Sequence, residues 1–83
     1  MIPKIKHVVA LKNYQLHVIF DDEKEVIYDA TEDIASLPNY NLLKDLPGFF
    51  QQVQLDTSRT CIFWNDEIDL PSDTIYEYGK PLK

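Results

Sequence analysis

The sequence predicts an α+β domain: a small antiparallel sheet that begins with a three-stranded meander, with short helices packed on one face. Three observations carry this. Residues 14–20 alternate, with Tyr14, Leu16, Val18 and Phe20 on one side and Gln15, His17 and Ile19 on the other; a period of two marks a half-buried strand. Segments rich in β-branched residues stand on either side, each separated from it by a short polar turn. In the middle of the chain the alternation stops, and Phe49, Phe50 and Val53 recur at helical spacing near Pro47. Eighty-three residues make one domain, 1–83.

The first strand is expected over residues 4–11 and the second over 14–20, joined by a two-residue loop, Lys12-Asn13. Asn tolerates φ > 0 there, although the usual following Gly is missing. Counting outward places His7 opposite residue 18 and His17 opposite Val8, so the two imidazoles fall on opposite faces. Asp21-Asp22-Glu23-Lys24 makes the next turn, and Glu25 to Asp29 the third strand. Three strands with one apolar face are the minimum that is independently stable.

Asn41 to Asp45 is expected as a short helical turn, capped by Asn39 or Asn41. Pro47 is placed in the first turn of a second short helix carrying Phe49, Phe50 and Val53. A fourth strand follows at residues 53–56, a turn at 57–59 and a fifth strand at 60–64. The near-continuous apolarity of Thr60-Cys61-Ile62-Phe63-Trp64 predicts a central position covered on both faces. Asn65-Asp66 turns the chain, Ile68 and Leu70 alternate with Asp69, and Pro71 opens a last helical turn through Tyr78. Gly79 is read as its left-handed C-cap. Whether the fourth and fifth strands extend the meander or pair with the first strand is left open.

Composition excludes several classes. Eight Lys and Arg stand against fourteen Asp and Glu, a net charge of −6. Residues 1–12 carry three lysines and no acid. Residues 13–79 hold all fourteen acids against Lys24, Lys44 and Arg59, a local charge of −11. A nucleic-acid domain needs a basic face to displace counterions, so nucleic acid is not an expected partner. An acidic surface speeds encounter with a basic protein instead. No run approaches the length needed to span a bilayer, and no signal peptide is expected, so neither is a membrane partner. The single cysteine, Cys61, forms no internal disulfide and fits a reducing cytoplasm.

The stretches Tyr14 to Asp29, Leu42 to Asp56 and Thr60 to Tyr76 resemble a family of small bacterial proteins, the domain-of-unknown-function family 2442. The most specific pieces are Ile62-Phe63-Trp64-Asn65 and Asp69-Leu70-Pro71-Ser72-Asp73-Thr74-Ile75-Tyr76-Glu77. Asn65-Asp66 stands where that family usually has Asn-Gly. The resemblance covers residues 6–79. It implies a fold rather than a chemistry, since the family has no established activity. It also implies a gene arrangement similar to a toxin–antitoxin pair, beside proteins of domain-of-unknown-function family 4160. By that analogy the acidic member is the antidote or regulator.

No residue constellation reads as catalytic, cofactor-binding or metal-ligating. Asn65-x-Glu67-x-Asp69 imitates the alternation of a calcium loop, but Leu70 stands where Gly is required. Asp69 or Ser72 is better read as the cap of the last helix, with Asp73 favouring its N-terminus. Cys61 lies in an apolar strand without a matched base, so a core thiol is expected. The aromatic residues are more telling. Tyr40, Tyr76 and Tyr78 cannot all be interior in so small a body: either their rings lie over sheet edges with only the hydroxyl wet, or, exposed among acids, they form a binding patch. The candidate partner surface is therefore Tyr40, Asp66, Asp69, Asp73, Tyr76, Glu77 and Tyr78. The expected function is a non-enzymatic, acidic protein-interaction module for a basic protein. The alternatives are a homodimer pairing through an edge strand, residues 4–11 or 25–29, and a small-molecule-binding protein.

Overall fold

The alternation of residues 15–20 is realised as a strand with Leu16, Val18 and Phe20 fully buried. In the computed structural model, which describes residues 2–82, this strand is β2 (Gln15–Phe20). It lies between β1 (Ile5–Ala10) and β3 (Glu25–Asp29), and the three form the expected antiparallel meander. A fourth strand joins it. The two-residue β7 (Lys80–Pro81) pairs with Val26 and Ile27 of β3, giving the order β1-β2-β3-β7. Residues 25–29 are therefore not a free edge along that stretch.

β4 (Gln54–Leu55), β5 (Cys61–Asn65) and β6 (Ile68–Pro71) make a second antiparallel sheet with β5 in the centre. They neither extend the meander nor form a ladder with β1. Ile62 and Trp64 are buried, while Cys61 and Phe63 are half-buried, so β5 is covered fully on one face only. A backbone bond ties the first sheet to the turn that enters β5, Ile5 N–H donating to Arg59 O at 2.8 Å, and Ser72 N–H to Thr60 O at 2.9 Å carries the β5–β6 pairing into the next helix. One apolar core joins both sheets, including Ile5, Phe20, Val26, Ile62, Ile68 and Ile75.

The first hairpin departs from expectation. Its loop is a three-residue 3₁₀ turn, Lys12–Tyr14, closed by Leu11 N–H to Gln15 O at 2.7 Å. Asn13 and Tyr14 both take left-handed φ, 61° and 59°. The extra loop residue shifts the register by one, so His7 faces Ile19 and Val9 faces His17. The two imidazoles thus share a face and stand diagonally on it. A bulge between Ile5 and His7 then returns Ile5 to the core side opposite Phe20. One extra residue inverts the facing of everything beyond it, because strand side chains alternate.

The helical parts are short. α1 (Thr31–Ser36) was not expected; of its residues only Ile34 is buried, too little to show as a period. A 3₁₀ turn, Pro38–Tyr40, leads to α2 (Leu42–Asp45). Asn41 holds the N-cap position of α2 without a side-chain cap bond. The second helix expected around Pro47 shrinks to a 3₁₀ turn, Phe50–Gln52, with Val53 outside it. Gly48 at φ 80° breaks the backbone after Pro47. Phe50 is buried, and Phe49 and Val53 pack against the core, so the apolar residues reach the interior without a helix.

α3 (Ser72–Tyr78) is the last helix, with Pro71 at its N-cap position. No side chain caps it. Ser72 Oγ donates instead to Pro3 O at 2.6 Å, and the Asp69 side chain makes no cap. Gly79 is not left-handed; its φ is −68°. It is required by close packing. A Cβ there would lie 2.6 Å from Ile75 O and 2.7 Å from Val26 Cγ2, where real Cβ atoms do not go.

Candidate interaction surface

The second sheet and α3 present the carboxylates. At the β5–β6 turn, Asn65 Oδ1 accepts from the backbone N–H of Glu67 at 2.8 Å and of Ile68 at 2.9 Å. An Asx turn of this kind replaces the expected Asn-Gly chemistry, and it moves the two loop positions to Asp66 and Glu67, both exposed. In β6, Ile68 and Leu70 point into the core and Asp69 out. In α3, Ser72 and Ile75 are buried. Asp73 and Glu77, one helical turn apart, are both exposed. Among the described residues the acid–base contacts are Lys6–Glu23, His17–Glu25 and Arg59–Asp21. None involves Asp66, Glu67, Asp69, Asp73 or Glu77.

The three tyrosines separate. Tyr78 is 73% exposed and stays with the acids. Tyr40 does not: it is 5% exposed, and its hydroxyl donates to the backbone carbonyl of Asp69. Burial, with Asp33 and Asp69 nearby, pushes its pKa up to about 12. Its neighbour Asn39 donates from Nδ2 to Glu67 O at 2.8 Å. Both side chains thus cover carbonyls along the outer edge of β6, and Tyr40 is an edge seal rather than a contact surface.

Tyr76 belongs to a different neighbourhood, the β2–β3 turn. Its ring stands edge-on to Phe20 at 4.9 Å, and its hydroxyl donates to Asp22 Oδ2 at 2.6 Å. Lys24 Nζ lies 3.9 Å from the ring centroid and donates to Tyr76 O at 3.1 Å. The Tyr76 hydrogen bond, followed by the Lys24 backbone N–H, holds Asp22 below the usual carboxylate range. Beside Tyr76 opens a cleft of about 450 Å³ whose lining includes Ile2, Pro3, Phe20, Asp21 and Asp22. Asp21, Asp22 and Lys24 were not read as companions of Tyr76. They lie more than fifty residues away in sequence, and only the docking of α3 on the turn brings them together.

The histidines, Cys61 and Trp64 complete the set of candidate residues. Among the described residues no group of three or more His, Cys, Asp or Glu is placed to hold a metal ion. His17 Nε2 meets Glu25 Oε1 at 3.0 Å. The Cys61 thiol is half-buried, and burial, then Asp56 and Asp69, raise its pKa, keeping it protonated near neutrality. Trp64 Nε1 finds the partner that burial demands, donating to Phe50 O at 2.9 Å. No helix among the described residues is long and apolar enough to cross a membrane.

No curated protein and no solved structure matches the chain. A family model does, over residues 5–81, from the start of β1 to the end of β7. Both sheets and α3 lie inside that match, including the Asn65 turn and the Ser72 junction that expose the acids. The chain belongs to the family described as protein of unknown function, DUF2442.

Proposed function

We propose that the chain is a non-enzymatic protein-interaction module of the cytoplasm that receives a basic partner on its acidic side. One observation carries this reading. Asp66, Glu67, Asp69, Asp73 and Glu77 are exposed on the β5–β6 turn, β6 and α3, and none has an ion-pair partner among the described residues. Carboxylates that are not spent within the fold leave a negative field, which steers a cationic surface and fixes its orientation. Tyr78 beside them supplies an exposed aromatic anchor of the kind that dominates contact energies. An antidote or regulator in a toxin–antitoxin-like pair is the biological form of this reading.

Co-expression with the product of the adjacent gene tests it. Co-purification at low salt is expected, with loss in a charge-reversed Asp66→Lys/Asp73→Lys/Glu77→Lys variant. If the two proteins stay separate at micromolar concentration and low salt, the antidote reading fails. A second reading rests on β1, the outermost strand of the four-stranded sheet. Pairing of β1 with its copy would make a dimer, and a monomeric mass by light scattering at high concentration removes that reading.

A further inference from the structure

A second cleft, of about 430 Å³, opens between the first hairpin loop and the segment after α2. Its lining includes Lys12, Asn13, Tyr14, Lys44, Gly48 and Gln51. We propose that this cleft binds the phosphate group of a small phosphate monoester. The chain carries fourteen acids, yet none of the residues lining this cleft is Asp or Glu. Its two cations are uncommitted. Lys6 and Arg59 are tied to carboxylates and Lys24 to Tyr76, whereas Lys12 and Lys44, like Lys4 and Lys80 elsewhere on the surface, make no ion pair among the described residues. Two ammonium groups match the charge of a phosphate monoester, about −1.5 to −2 at neutral pH. Lysine serves as a point-charge phosphate binder, and the Asn13 and Gln51 amides add N–H donors.

The backbone around the cleft is unusual in a consistent way. Asn13, Tyr14 and Gly48 all take left-handed φ, at 61°, 59° and 80°. A Cβ on Gly48 would meet nothing within 4 Å, so a ligand can approach the backbone there. Tyr14 occupies the position where a hairpin loop ordinarily has Gly, and its ring stands edge-on to Phe50 at 5.4 Å. Strained non-glycine backbone of this sort gathers at ligand clamps. A cleft of this volume has room for a small organic body beyond the phosphate.

The ligand is an anion and the lining basic, so the proposal is independent of a basic partner on the acidic side. Amide shift mapping of the ¹⁵N-labelled chain tests it, with inorganic phosphate, glycerol 3-phosphate and acetate at matched ionic strength and about pH 7.5. Saturable shifts are expected for both phosphates, confined to residues 12–14 and 43–51, with glycerol 3-phosphate the tighter. Binding weakens at about pH 5.5, as phosphate loses its second charge. Lys12→Gln/Lys44→Gln changes two exposed side chains, keeps the spectrum of the folded chain and lowers affinity by at least about tenfold. Equal shifts with acetate, shifts spread over Lys4, Lys6 and Lys80, or unchanged binding by the double variant would overturn the proposal.

Discussion

Ser72, fully buried at the start of α3, donates its hydroxyl to the carbonyl of Pro3 at 2.6 Å, across sixty-nine residues of sequence. The same residue's N–H bonds Thr60 O, and Ile5 N–H bonds Arg59 O. These bonds join the segment entering β1 to the second sheet and to the helix that follows it. Ser72→Ala removes one donor and leaves a part-buried carbonyl without its partner. The expected loss is about 1–2 kcal/mol. A lower urea midpoint at unchanged m-value checks it, because the fold and its buried area stay the same.

Trp64 makes the corresponding link inside the core. Its ring stacks on Phe50 at 5.6 Å and 25°, and its Nε1–H donates to Phe50 O at 2.9 Å. Trp64→Phe keeps an aromatic ring but orphans that carbonyl and opens a small void. A loss of about 2–3 kcal/mol is expected. Chemical denaturation followed by far-ultraviolet circular dichroism measures it without relying on tryptophan emission.

The residues that were legible in the sequence are those whose partners are near in the chain. Leu16, Val18 and Phe20 announced their face by alternation, and Ile68 and Leu70 did the same around Asp69. β7 was not legible. Lys80-Pro81 has no strand pattern, and it pairs only because α3 returns the chain to Val26. The loop at Lys12–Tyr14 was misread by one residue because nothing local announces a left-handed Tyr. That single residue reversed the facing of the histidines. In the candidate surface the carboxylates lay on the outside as read, since alternation and helix spacing govern them. Tyr40 is buried instead and Tyr76 lies half-buried against the β2–β3 turn, because Asp69 O and Asp22 claim their hydroxyls through tertiary contacts.

The two glycines are expected to respond to alanine for opposite reasons. At Gly79 the backbone is ordinary, but the added methyl collides with Ile75 O and Val26. Overpacking against backbone cannot be relieved by a rotamer change, and a loss of about 2–3 kcal/mol is expected. At Gly48 the space is open and only the left-handed φ is strained, which costs about 1 kcal/mol. Thermal midpoints of the two variants should therefore rank Gly79→Ala below Gly48→Ala, both below the parent. The reverse order would mean that α3 shifts away from β3 more easily than the contacts imply.

Alkaline pH is expected to unfold the chain through its buried phenols. Burial, then the hydrogen bond to Asp33 at 2.6 Å, raises the Tyr28 pKa, and burial pushes Tyr40 up to about 12. Unfolded tyrosine ionises near pH 10. Between about pH 10 and the folded values the unfolded chain holds fewer protons, so stability falls as pH rises. Their contribution is complete below about pH 10 and is lost as pH climbs through the folded pKa values. Lys6, raised by Glu23, and Tyr76, raised by Asp22, act in the same direction at the surface. Salt screens those exposed pairs far more than the buried phenols. Urea midpoints at high salt should therefore still decline above about pH 10, and Tyr28→Phe and Tyr40→Phe should each flatten the decline. A slope unchanged in both variants would place the alkaline sensitivity elsewhere, with the Cys61 thiol, also raised by burial, the next group to test.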